Sequence, residues 1–110
     1  MRPTGTATTA PAPITGLPPD LQAAIAGVRA AIRHQIDIGQ LDPYAGAALL
    51  RKVNQVAREL SERDWTAAFS TGAQMWEMLD TYRKDGRLTS TGYQAIVATL
   101  EKVHDVLTNR

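Results

Sequence analysis

Two short phrases decide the fold, Ile36-Asp37-Ile38-Gly39-Gln40-Leu41-Asp42-Pro43 and Lys84-Asp85-Gly86-Arg87-Leu88-Thr89. In each, a glycine closes a run of helical periodicity and supplies the left-handed conformation that ends a helix at no steric cost. A leucine two residues later is placed to fold back on the helix end. A new helix starts at once, capped by Asp42 with Pro43 at its first position in one phrase and by Thr89 in the other. Both phrases therefore read as helix–Gly–helix junctions.

The flanking residues carry the matching periodicity. Leu21, Ile25, Val28, Ile32 and Ile36 precede the first glycine at steps of four, three, four and four, and Ala45, Leu49, Val53, Val56 and Leu60 follow it. Ser61-Glu62-Arg63-Asp64 is a short connection, with Asp64 as the cap of a third helix carrying Trp65, Phe69, Met75, Trp76, Leu79 and Tyr82. Tyr93, Ile96, Leu100, Val103 and Leu107 form the inward face of a fourth. Aligning Gly39 with Gly86, an offset of 47 residues, superposes Val28 on Met75, Ile32 on Leu79, Leu41 on Leu88, Leu49 on Ile96, Val53 on Leu100, Val56 on Val103 and Leu60 on Leu107. The pattern predicts an all-α fold, a four-helix bundle or slightly open array made of two repeated helix–Gly–helix hairpins, the first over about 18–61 and the second over about 64–109. A single hairpin leaves its apolar face wet, and two packed face to face bury it.

A chain of 110 residues with 44% hydrophobic and 21% charged residues has room for one modest core. Residues 1–17, rich in Thr, Pro and Ala, offer too little apolar area to offset the entropy of ordering them and read as a flexible linker ahead of a domain over 18–110. The absence of cysteine removes disulfides, thiolate metal sites and thiol nucleophiles. No run of residues suits a membrane span or a secretion signal, so a soluble domain without direct membrane insertion is expected, on either side of a membrane. Twelve Lys and Arg against eleven Asp and Glu, with no long block of either sign, argue against a nucleic-acid partner.

The Gly39-x-Leu41 and Gly86-x-Leu88 turns, the Leu49/Val53/Val56/Leu60 helix, Trp65 with Ala68, and Gly92-Tyr93 together resemble the short helical domain near the C-terminus of many actinobacterial serine/threonine protein kinases. They also resemble its looser relative, the FIMAH domain of bacterial surface proteins. The likeness covers about residues 20 to 108 and consists of turn formers and core positions. It implies a parent protein whose kinase domain lies upstream of a linker like Thr4 to Pro13. The chain itself has no Gly-rich phosphate loop, His-Arg-Asp catalytic loop or Asp-Phe-Gly motif.

Chemistry is sparse. An EF-hand reading with Gly86 at loop position six puts Thr81, Arg83, Asp85 and Gly92 at ligand positions, and Gly39 there puts His34, Ile36, Ile38 and Ala45, so the oxygen ligands are missing. His34 with Asp37 supplies two potential metal ligands, too few for a site. Ser61, Ser70 and Ser90 stand in capping or helical contexts without a nucleophile elbow. No catalytic residue, metal ligand or cofactor site is expected.

The third helix concentrates the bulky side chains. Either all of them fill the core, or Trp65, Phe69, Trp76 and Leu79 do so while Met75, Met78 and Tyr82 contribute to an interaction surface. The expected function is a non-catalytic accessory interaction or sensory domain with a protein or peptide partner. A structural spacer or self-association module, with homo-oligomers, is the alternative. Gly39, Asp42, Gly86 and Thr89 are expected as structural turns and caps, and Gly92, inside a first helical turn, is expected to tolerate alanine.

Overall fold

The structure is a computed structural model that describes residues 17–108. It contains four helices, α1 (Pro19–Asp37), α2 (Pro43–Ser61), α3 (Trp65–Lys84) and α4 (Ser90–Thr108). The linker expected over 1–17 lies outside the described residues except for Leu17, which is buried in the core and so belongs to the folded unit.

Each helix begins and ends for a local reason. Pro19 opens α1 at a position where its missing N–H costs nothing. The Asp42 carboxylate accepts from the Ala45 N–H at 3.0 Å, Asp64 accepts from Ala67 at 3.2 Å, and the Thr89 hydroxyl accepts from Gly92 at 3.0 Å. Gly39 and Gly86 both have φ of 79°. Around Gly39, the Gly39 and Gln40 N–H groups donate back to Ile36 and Gln35, and around Gly86, those of Gly86 and Arg87 donate to Arg83 and Tyr82, which satisfies carbonyls that the helix end leaves free. The α2 end closes in the same way, Arg63 donating to Leu60 and Asp64 to Glu59, but here the left-handed residue is Arg63 at φ 61°. The connection from α2 to α3 is thus a third turn of the glycine type, built without glycine.

The two glycine turns meet. Leu41 and Leu88 form an antiparallel bridge, with Asp42 N–H donating to the Arg87 carbonyl at 2.8 Å and Thr89 N–H to that of Gln40 at 3.0 Å. Both leucines are buried against a core that runs through Leu21, Val28, Ile32, Leu49, Leu60, Met75, Leu79 and Ile96. The most extensive helix contacts are α1 with α4 and α2 with α3, whereas α3 and α4, joined by a glycine turn, touch only sparingly. A partly buried polar cluster helps hold α2 on α3: the Thr71 hydroxyl donates to Glu59 Oε1 at 2.8 Å, and Gln55 Nε2 donates to Thr71 Oγ1 at 3.3 Å.

The expectation for Gly92 is corrected. A Cβ there would stand 2.9 Å from Leu88 Cδ1, 3.2 Å from Gln40 Cβ and 3.3 Å from Gln35 Oε1, a buried oxygen that has no hydrogen-bond partner. The position is conformationally ordinary but sterically full, because the bridged turns press against the start of α4.

Gly39→Val and Gly86→Val are each expected to lower stability by more than about 1 kcal/mol, since a β-branched residue is strained at positive φ. Arg63→Gly is expected to raise it by up to about 1 kcal/mol by relieving the same strain. Gly92→Ala is expected to be destabilising through crowding. Urea denaturation of the four variants checks these outcomes.

Candidate apolar groove between the third and fourth helices

Helix α3 carries two stripes. Ala68, Thr71, Met75 and Leu79 are buried against the rest of the bundle. Trp65, Phe69 and Trp76 lie on a neighbouring stripe and are 44%, 56% and 39% exposed. The bulky residues of α3, from Met78 round to Phe69, span roughly 180° of the helix, more than the single stripe that one helix buries against a core. The stripe with smaller side chains takes the interior, and the aromatic one stays partly exposed.

Neither of the two expected assignments holds in full. Met75, placed on an interaction surface in one of them and in the core in the other, is 2% exposed and is a core residue. Met78 and Tyr82 are half-buried and pack against the core, so neither offers the main exposed surface of α3. Trp65, Phe69 and Trp76, expected in the core, form that surface instead. Gly39, Asp42, Gly86 and Thr89 occupy the turn and cap positions expected of them.

Where α3 and α4 part, a hollow of about 270 Å³ opens between them. Phe69, Gly72, Ala73 and Trp76 form one wall, Leu100, His104 and Leu107 the other, and Val28, Val53, Met75 and Val103 lie beneath. A second hollow, of about 380 Å³, continues past Phe69 and Leu107 to Leu17, Pro18, Arg63 and Trp65 at the end of the bundle. Toward the turns, the groove is bounded by Arg83, whose guanidinium lies 4.7 Å from the centre of the Tyr93 ring and links α3 to α4. Arg83 and Lys84 each hold Asp80 at 2.9 Å. Hydrogen bonds from Lys84 and then Arg83 keep the Asp80 carboxyl below its ordinary pKa, so these pairs are intact at neutral pH and are lost as pH falls through the lowered value. Solvent surrounds them, and their contribution to stability is small.

Gly72 makes the groove. A Cβ added there would meet nothing within 4 Å. At the 47-residue offset its counterpart is Ile25, a buried core residue, while Phe69 stands opposite Gln22 and Trp76 opposite Arg29. In the first half, Arg29 Nε donates to Asn54 Oδ1 at 3.0 Å and ties α1 to α2. Between α3 and α4, among the described residues, Gly72 offers no such filler and no comparable hydrogen bond ties the helices across the hollow. A glycine inside a helix costs about 1 kcal/mol relative to alanine, so one in the middle of α3 calls for a reason. That signal was available in the sequence, and the offset pairing of Gly72 with Ile25 sharpens it.

Covering the exposed half of each aromatic ring, on the order of 80–100 Å², would contribute about 2 kcal/mol. The groove therefore favours an apolar occupant. Titratable chemistry is thin around it: His104 is the one imidazole on its walls, and among the described residues no three His, Asp or Glu side chains gather as metal ligands. No helix is long and apolar enough to cross a membrane among the described residues. Comparison with known protein families, curated proteins and solved structures finds no match to this chain.

Gly72→Ala is expected to stabilise the protein by about 0.5–1 kcal/mol, from helix propensity without a clash. Met75→Gln is expected to cost roughly 3 kcal/mol by burying an amide without a partner. Thermal melts of the two variants check both signs.

Proposed function

We propose that this chain is a non-catalytic interaction domain that binds an apolar, helical protein surface in the groove between α3 and α4. The carrying observation is the exposure of Trp65, Phe69 and Trp76 along one stripe beside a hollow that Gly72 leaves open. Large aromatics held partly exposed on a rigid helix are costly in water and are enriched at the centres of protein interfaces. The apolar walls and the scarcity of converging titratable groups favour binding over catalysis.

The wider setting we propose is an accessory or sensory part of a larger bacterial signalling protein of the serine/threonine kinase kind. It rests on the resemblance carried by Gly39-x-Leu41, Gly86-x-Leu88 and Gly92-Tyr93. The Thr/Pro/Ala composition of Thr4 to Pro13 suits a tether in such a protein.

Anilinonaphthalene sulfonate, an apolar dye that brightens in such hollows, tests the groove. At micromolar protein the dye is expected to bind the folded chain, and Gly72→Leu, whose side chain would project into the hollow, is expected to weaken that binding about tenfold or more. The Gly72→Leu melting temperature is expected to be no lower than that of the parent. Equal dye binding by both proteins would remove the groove as the site.

A further inference from the structure

The exposed stripe of α3 reads nearly the same in both directions. Trp65, Phe69, Gly72, Ala73, Trp76 and Asp80 are spaced four, three, one, three and four apart, so the pattern is symmetric about the midpoint of Gly72 and Ala73. Small residues stand at the centre and large rings on either side. That arrangement suits a helix that crosses a copy of itself antiparallel, because in a two-fold interface residue i of one copy meets j of the other and j meets i, so small residues face small ones and Phe69 faces Trp76. Close approach at Gly72 and Ala73 would set Phe69 of each copy against Trp76 of the other, and the indole N–H of Trp65 would come beside the Asp80 carboxylate.

Charge follows the same reversal. At the start of α3, Glu62 and Asp64 outnumber Arg63. At its end, Arg83, Lys84 and Arg87 outnumber Asp80 and Asp85. Antiparallel alignment lays the acidic end of one helix beside the basic end of the other, and it also opposes their macrodipoles. A parallel alignment would bring like ends together.

We propose that the α3 stripe of one chain pairs with that of a second copy, about a two-fold axis between Gly72 and Ala73. This rests on reading the groove as a protein-binding site and names its occupant.

The chain has no cysteine, so a single one reports on the axis. In the full chain, Ala73→Cys places two thiols across the axis and is expected to form a disulfide-linked dimer rapidly under mild oxidation. Tyr44→Cys, on α2 at a residue 84% exposed, is expected to remain largely unlinked. By sedimentation equilibrium from micromolar to millimolar concentration, the parent chain is expected to dimerise. Ala73→Glu, at an exposed helical position, is expected to raise the dissociation constant at least tenfold with the melting temperature of the monomer unchanged. Lys84→Glu is expected to weaken the dimer, and Glu62→Lys added to it to recover part of the loss. A parent chain that stays monomeric, or Ala73→Cys linking no faster than Tyr44→Cys, would overturn the dimer. If that monomer binds dye in a Gly72-dependent way, the groove stands and its occupant is a different apolar helix. If it binds no dye, both readings fall.

Discussion

Two backbone hydrogen bonds, Asp42 to Arg87 and Thr89 to Gln40, tie one helix–Gly–helix turn to the other around the Leu41–Leu88 bridge. They bring the end of α1, the start of α2, the end of α3 and the start of α4 to one end of the molecule. A side-chain hydrogen bond between Thr89 and Gln40 reinforces the junction. The bridge needs the chain to leave each helix at a steep angle, which is what Gly39 and Gly86 provide at φ 79°. From that fixed end the four helices run outward, and their remaining arrangement depends on which faces find partners along their length.

Those partners are distributed unevenly. Helices α2 and α3 are joined by the short turn at Arg63 and share the Thr71–Glu59–Gln55 cluster, while α1 lies along α4. Helices α3 and α4 are held at the turn end by Arg83 over Tyr93, but farther out, among the described residues, neither a filler nor a polar tie spans the gap between them. Gly72 decides this, since the helix there offers no side chain at all. The aromatic stripe that borders the gap is consequently left in water, and the proposed interaction would recover the free energy lost by leaving it there.

Much of the fold was legible in the sequence because its signals are local. The caps at Asp42 and Asp64 and the positive-φ glycines are properties of a few consecutive residues, and the four apolar periodicities need only the pitch of a helix. The left-handed Arg63 was not legible, because a non-glycine residue reaches that conformation only under the pull of its surroundings. In this case those are the carbonyls of Leu60 and Glu59 and the need to reverse the chain between two packed helices.

The site divides along the same line. By itself the sequence determined that α3 concentrates the bulky apolar residues, and it left open whether all of them fill the core. Which stripe is buried was decided only in the tertiary structure. Met75 entered the core, with Met78 and Tyr82 packed at its margin, and Trp65, Phe69 and Trp76 stayed out. The stripe through Ala68, Thr71, Met75 and Leu79 lets α3 approach α2 closely, whereas rings at Phe69 and Trp76 would hold the two helices apart. Size and hydrophobicity rank the residues one at a time, but burial is settled by how near two helices can come, and that distance belongs to the pair.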